Sequence, residues 1–325
     1  MKALSCYKVI SSDTVLDGGC GQGGGNWFTD VAGIKLQKAI AEILGGDLFL
    51  QQRPHGKTSY HLNAYDPPEG DFDVAYVQLF DPPTRRPARF VWSMISDYIR
   101  MESALELWLE ATKPNLLVSL QYPLTPPRRV HWVPFPVALP NLVEQCDRHD
   151  CRVVFLPWFN EANVPPVPVD RDIAAMCSGK TSSSYPSRSH NAAWLRALRR
   201  EDVIVSCGAH TDRFALTYQE YLEALVRCRY YVTGGIYDLQ IPPKYFEVAN
   251  YGACLVCVDM PTMEEVGFVD GDTFIRIKSP FDITNVIEDP VRWQKIGAAG
   301  RDMVQQRHHM GQRSKEIADI ILGML

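Results

Sequence analysis

Residues 241–273, IPPKYFEVANYGACLVCVDMPTMEEVGFVDGDT, decide the fold that we predict for this chain. Prolines open a short helix that Tyr251 and Gly252 end, because proline suits the first helical turn and glycine suits the end. The apolar run ACLVCVD then has the length and composition of a buried strand. Lys244 and Glu247 are three residues apart and therefore share one helix face, where they can hold a polar group.

The rest of the chain extends this pattern of helix followed by strand. Strand-length apolar runs alternate with helix-length amphipathic stretches, which predicts an α/β protein with largely parallel sheets. The stretch SMISDYIRMESALELWLEAT at 93–112 is expected to be helical. The run CRVVFLPWF at 151–159 is expected to be a strand that opens a second lobe.

The length of the chain suits two domains. The 325 residues are enough for two units of about 150 residues each. A proline-rich stretch between about 121 and 150 predicts a rigid, extended connection between them. We expect a first lobe over 1–145, a second lobe over 146–300 and a C-terminal helix over 301–325 that packs back on the first lobe.

Composition excludes several classes of protein. The net charge of -5 gives no basic excess, so binding to nucleic acid phosphates is not indicated. The nine cysteines are scattered, several within apolar runs, which is typical of reduced, buried thiols. We see no apolar run long enough for a signal peptide or a membrane span, and we expect a cytoplasmic protein.

A hydroxyl-rich loop in the second lobe is a candidate phosphate site. A strand ends at Gly179 and Lys180, and the loop TSSSYPSR, which contains Arg188, leads from it into a helix. Ligands of open α/β sheets bind at the carboxyl ends of strands, and helix N-termini offer free N–H groups to phosphates. A solvated surface loop is the alternative for this segment taken alone. Gly235 and the glycine before it could also let backbone amides approach a phosphate or a sugar.

From about Met176 onward, the chain resembles the nucleotide-binding domain of GT-B glycosyltransferases, specifically the CgeB-like group. Four segments occur in the order of the family: SGKTSSSYPSR, LTYQEYLEALVRCRYYV, KYFEVANYGACLVCVDMPTMEEVGFVDGDTF and WQKIGAAGRDMVQQRHHMGQR. The resemblance implies a GT-B fold, with two Rossmann-like lobes, parallel sheets and a cleft between an acceptor-side lobe and a donor-binding lobe. It also implies a hexosyl- or pentosyltransferase that moves a sugar from a nucleoside diphosphate donor, such as a UDP sugar, to an unidentified acceptor.

The resemblance assigns roles to residues by position. It implies that Glu247 accepts hydrogen bonds from ribose hydroxyls, and that Arg188 and Lys244 neutralise the diphosphate. The implied donor-binding set is Gly179, Lys180, Arg188, Gly235, Lys244 and Glu247. Fixed cations suit this chemistry, because the departing nucleoside diphosphate gains negative charge as the glycosidic bond breaks. We therefore expect neither a metal nor a cofactor besides the donor, which is a co-substrate.

The stereochemistry of transfer stays open in this comparison. Many retaining members have a second glutamate eight positions before the matched one, whereas this chain has Leu239 there, with Asp238 beside it. An inverting enzyme would need a catalytic base from the first lobe, and Asp17 and Asp97 are the candidates. Both have a structural alternative, a turn former for Asp17 and a helix-surface carboxylate for Asp97.

Two other classes of function remain as alternatives. Residues 17–23, DGGCGQG, resemble the glycine motif of S-adenosylmethionine-dependent methyltransferases. The next strand candidate, DLFLQQR, lacks the acidic residue that would bind the ribose of that cofactor at its end. A non-catalytic nucleotide-sugar-binding protein is the second alternative, because the second glutamate is missing.

Overall fold

The structure, a computed structural model, describes residues 2–6, 27–51, 71–77, 83–95, 102–120, 142–160, 170–208, 216 and 218–325. Its contacts divide the chain into two compact units. The first unit consists of Met1–Pro157 together with Met310–Leu325, and the second consists of Trp158–His309.

The first unit contains a six-stranded sheet in which all neighbouring strands are parallel. The strands are β1 (Lys2–Cys6), β2 (Asp47–Gln51), β3 (Val74–Val77), β4 (Phe90–Ile95), β5 (Leu116–Ser119) and β6 (Arg152–Phe155). Their spatial order is β2-β1-β3-β4-β5-β6. The helices between them are α1 (Trp27–Ile43), α2 (Glu102–Thr112) and α3 (Leu142–Arg148).

The core of the first unit lies between this sheet and α2. Leu105, Trp108 and Leu109 on the buried face of α2 pack in one cluster with Val91 of β4 and Leu117 of β5. The strands β3 and β5 are buried along their whole length, which explains why their sequences are continuous apolar runs rather than alternating ones.

Two expectations for the first half of the chain were wrong. The strand β6, which we expected to open the second lobe, pairs with β5 in the register Leu116↔Arg152 and completes the first sheet. The first unit therefore ends after β6 and not at residue 145. The stretch 93–112 is also not one helix, because its first three residues belong to β4 and α2 begins only at Glu102.

The second unit contains a five-stranded sheet that is likewise parallel throughout. Its strands are β7 (Ile173–Lys180), β8 (Val203–Gly208), β9 (Cys228–Val232), β10 (Cys254–Cys257) and β11 (Ile275–Arg276), in the spatial order β11-β10-β9-β7-β8. Its helices are α4 (Pro186–Ala197), α5 (Tyr218–Arg227), α6 (Pro243–Asn250), α7 (Asp282–Ile287) and α8 (Arg292–Arg307). The helix and the strand predicted within 241–273 are confirmed as α6 and β10.

The end of the chain forms two helices. The helix α8 ends at Arg307 within the second unit, and α9 (Met310–Leu322) belongs to the first unit, where it packs against α1. His308 lies between them, and its Nε2 is 2.8 Å from the carbonyl oxygen of Val266. None of the helices in the described ranges is long and apolar enough to cross a membrane.

Candidate functional site

The candidate site lies at the carboxyl ends of β7 and β9 in the second unit. The strand β7 leads through residues 181–185 into α4, and β9 leads through residues 233–242 into α6. The two strands are neighbours in the parallel sheet, so both loops and both helix N-termini meet at one edge. The six donor-binding residues that the sequence predicts lie in this region: Gly179 and Lys180 end β7, Arg188 lies on the first turn of α4, Gly235 lies in the second loop, and Lys244 and Glu247 lie on α6.

Arg188 is the buried centre of this edge, with 4% of its surface exposed. Its Nε donates to Thr233 Oγ1 at 3.1 Å, Nη1 donates to the carbonyl oxygen of Lys180 at 3.2 Å, and Nη2 donates to that of Gly234 at 3.0 Å. The guanidinium also stacks on the ring of Tyr185, 4.3 Å from its centroid. All of these partners are uncharged, and among the described residues Arg188 forms no ion pair. Arg188 is therefore a buried positive charge that no carboxylate of the described residues contacts directly.

Three glycines allow the chain to pass close to Arg188 and its neighbours. Gly179 has a φ of +108°, and a Cβ there would lie 3.2 Å from Arg188 Nη1. A Cβ on Gly234 would lie 2.6 Å from the backbone nitrogen of Arg188. A Cβ on Gly235 would lie 2.1 Å from the sulfur of Met260. The space beside Gly235 is thus filled by the protein itself, which gives this glycine a packing role, and its role in donor binding stays a prediction.

Lys244 and Glu247 share one face of α6, as their spacing predicts. Lys244 Nζ lies 3.6 Å from Glu247 Oε2, and the two side chains are 23% and 12% exposed. Burial lowers the pKa of Lys244 from its ordinary value, and the Arg188 charge lowers it further, although Glu247 opposes both effects. The two cations of the site therefore repel each other, and a single carboxylate faces them on α6.

Tyr221 on α5 is a residue of this site that sequence reasoning missed. Its hydroxyl donates to Glu247 Oε2 at 2.8 Å, and its ring lies 4.0 Å below Lys244 Nζ. The available signal was weak, because α5 is strongly amphipathic and an aromatic residue on its apolar face has the pattern of an ordinary core position. Both protein contacts of Glu247 use Oε2, and within the described part of the chain Oε1 accepts no hydrogen bond.

A buried arginine fixes the two helices that carry these groups. Arg171, which is 2% exposed, donates to carbonyl oxygens at the end of α5, those of Leu225 and Cys228, and to that of Tyr251 just beyond α6. Its charge is favourable there, because the C-terminal ends of helices carry partial negative charge. Burial lowers the pKa of Arg171 to about 10. This side chain ties the C-terminal ends of α5 and α6 together.

The turn before α6 contains the position of the missing second glutamate. Leu239 is buried there, and Asp238 beside it has a left-handed φ of 50°. The Asp238 carboxylate accepts a hydrogen bond from Ser187 Oγ on the first turn of α4 through Oδ2, whereas Oδ1 is buried without a partner among the described residues. Burial raises the pKa of Asp238.

The structure brings the predicted donor-binding residues to one edge of the second sheet. The two candidates for a catalytic base, Asp17 and Asp97, lie outside the described residues, as does the glycine-rich loop of the methyltransferase alternative. The roles of Asp17 and Asp97 stay predictions.

The second half of the chain matches a family of known proteins. The comparison with family models matches residues 188–319 to the family described as glycosyl transferase-like. That segment begins at Arg188 and includes both Lys244 and Glu247. No curated protein sequence matches the chain.

Comparison with solved structures assigns the fold over the full length of the chain. HepE from Anabaena, determined in complex with UDP and glucose, has a TM-score of 0.57 at 10% identity and covers 99% of this chain and 100% of its own. Sucrose-phosphate synthase from Thermosynechococcus elongatus has a TM-score of 0.57 at 8% identity, with 100% of each chain covered. A glycosyltransferase from Rickettsia africae has a TM-score of 0.51 at 9% identity and covers 99% of this chain and 98% of its own. The chain has the GT-B fold, and the predicted fold class is confirmed.

Proposed function

We propose that this protein is a glycosyltransferase that takes its sugar from a nucleoside diphosphate sugar bound at the carboxyl edge of the second sheet. The observation that carries the proposal is the pair of cations at this edge, the buried Arg188 and the partly buried Lys244. Arg188 has no carboxylate partner among the described residues, and its charge contributes to lowering the pKa of Lys244. Buried charges in proteins are paired or bind a ligand of opposite charge, so this edge favours an anion.

The N–H groups of Arg188 and Lys244 that remain for a ligand suit a diphosphate. Arg188 uses three of its five N–H groups on protein oxygens, which leaves one on Nη1 and one on Nη2. Lys244 Nζ is farther from Glu247 than a normal hydrogen bond, so its N–H groups can turn towards a phosphate oxygen. In the proposed reaction, these cations stabilise the charge that develops on the leaving diphosphate as the bond to the anomeric carbon breaks. We propose that they do so without a metal or another cofactor.

The free oxygen of Glu247 suits the ribose of the nucleotide. Oε2 is held by Tyr221, whereas Oε1 accepts no hydrogen bond among the described residues, so one acceptor is available to a ribose hydroxyl. Hydroxyl groups that donate to a carboxylate form strong, charge-assisted hydrogen bonds. We propose a UDP sugar such as UDP-glucose as the donor, because HepE was determined in complexes with UDP and with UDP-glucose.

Binding and turnover measurements test this proposal. Isothermal titration calorimetry of the full chain with UDP, GDP, dTDP and S-adenosylmethionine should show binding of a nucleoside diphosphate and none of S-adenosylmethionine. The variant Glu247→Gln replaces a charged hydrogen-bond acceptor by a neutral one and should weaken UDP binding by about tenfold. The matched variant Glu223→Gln, on an exposed position of α5, should leave binding unchanged.

Two results would contradict the proposal. Binding of S-adenosylmethionine without any nucleotide would favour the methyltransferase alternative. Tight binding of UDP-glucose without release of UDP, even by slow hydrolysis, would favour a non-catalytic binding protein.

A further inference from the structure

Tyr221 contacts both charged residues of α6 from the neighbouring helix. Its side chain is buried, with 7% of the residue exposed. The hydroxyl donates to Glu247 Oε2 at 2.8 Å, and the ring centroid lies 4.0 Å from Lys244 Nζ. Any buried tyrosine hydroxyl needs a hydrogen-bond partner, but here both of these contacts are to the two charged residues of the candidate site.

These contacts keep Lys244 and Glu247 from satisfying each other. A lysine and a carboxylate on one helix turn can close to a charge-assisted hydrogen bond of about 2.8 Å. Here the two atoms are 3.6 Å apart. The Tyr221 hydroxyl donates a hydrogen bond to Oε2, and the negatively polarised face of its ring attracts the ammonium group. Glu247 Oε1 and the N–H groups of Lys244 therefore remain available to a ligand.

We propose that Tyr221 is a positioning residue of the nucleotide site, in which its hydroxyl orients Glu247 towards the ribose and its ring orients Lys244 towards the diphosphate. This inference rests on the proposed function. The two parts of one side chain thus serve two parts of one ligand. Arg171 supports the arrangement, because it joins the C-terminal ends of α5 and α6 and so fixes the position of Tyr221 against α6.

The two roles can be separated with two variants and two ligands. The probes are UDP and its 2′,3′-dideoxy analogue, which keeps the diphosphate and lacks the ribose hydroxyls. Tyr221→Phe removes only the hydroxyl, and Tyr221→Leu removes the ring as well. The control is Tyr230→Phe, which removes a buried tyrosine hydroxyl that donates to the carbonyl oxygen of Asp289 in the same unit.

The expected result is a change in ligand preference and not only in affinity. Tyr221→Phe should bind UDP about tenfold more weakly and bind the dideoxy analogue within about twofold of the wild type, since only the ribose contact is affected. Tyr221→Leu should weaken the binding of both ligands, because Lys244 loses the ring that positions it. Tyr230→Phe should keep the wild-type preference, and near-UV circular dichroism should confirm that all three variants are folded.

Three results would overturn the inference. Equal weakening of both ligands by Tyr221→Phe would mean that the hydroxyl has only a structural role. Unchanged affinities in both Tyr221 variants would mean that the side chain is not part of the site. If the wild type bound neither ligand, the proposed use of a uridine nucleotide would fail, and this inference would fail with it.

Discussion

Replacing Lys244 by methionine should change stability and nucleotide binding in opposite directions. Methionine keeps the length of the apolar stem and removes the ammonium group. The ion pair with Glu247 at 3.6 Å has a Coulomb energy of about 5 kcal/mol at an effective dielectric constant of about 20. The cost of removing a charge from water is also several kcal/mol. Because burial lowers the pKa of Lys244, the cost exceeds the gain, and Lys244→Met should stabilise the free protein.

The difference in stability between Lys244→Met and the wild type should depend on pH in a definite direction. The folded protein holds Lys244 at a pKa below that of the unfolded chain. At alkaline pH the unfolded state therefore binds more protons, and wild-type stability rises as the pH passes through the folded pKa towards the ordinary lysine value. The advantage of Lys244→Met should thus be full at neutral pH and should disappear at high pH.

Binding should respond in the opposite way to stability. Loss of a buried cation opposite a phosphate should cost about 2–3 kcal/mol of UDP affinity, which is about 30- to 150-fold in Kd. The Tm of the free variant should be higher than that of the wild type.

Calorimetric scanning and titration of both proteins measure these two effects. Lys295→Met on an exposed position of α8 is the matched control and should change neither property. An unchanged UDP affinity in Lys244→Met, or a free variant several degrees less stable than the wild type, would refute the reasoning.

Three further predictions concern other residues of the second unit. Gly234→Ala should lower the free energy of unfolding in urea by about 1–3 kcal/mol, because its Cβ would lie 2.6 Å from a backbone atom. Gly323→Ala is the control, because a Cβ there would have contacts no closer than 3.4 Å. Equal losses in the two variants would contradict this prediction. Asp238→Asn should raise the Tm at neutral pH and not at acid pH. Burial raises the pKa of Asp238 in the folded protein, so the wild type loses stability as the pH rises through that pKa and the carboxyl becomes charged. A thermal scan showing the same difference at both pH values would argue against the buried charge. Cys207 should react with iodoacetamide before Cys257, because its hydrogen bond with Cys177 lowers the pKa of Cys207, whereas burial raises that of Cys257. Peptide mass spectrometry measures the order, and earlier labelling of Cys257 would show it to be wrong.

Local sequence patterns were sufficient for the elements that carry the site. The helix α6 was predictable because proline and glycine mark its ends, and β10 was predictable because its run is apolar throughout. The common face of Lys244 and Glu247 follows from helical spacing alone.

Long-range pairing was not predictable from these patterns. The strand β6 has the same apolar pattern whichever sheet it joins, and only its register with β5 places it in the first. Tyr221 meets Glu247 across 26 residues, through the packing of α5 on α6. Arg188 bonds to Lys180 at the end of β7 and to Thr233 and Gly234 just after β9. Only the folded sheet brings these two segments together, so the burial of Arg188 could not be read from the hydroxyl-rich loop.

The return of α9 to the first unit has a consequence for how the chain is made. The second unit is one continuous stretch, Trp158–His309, whereas the first unit needs α9 from beyond it to cover α1. A ribosome synthesises α1 before the second unit and α9 after it, so the part of α1 that α9 contacts stays uncovered while the second unit is synthesised and can fold. During that interval α1 is a surface for chaperones to protect, and the domain that is translated first is the one completed last.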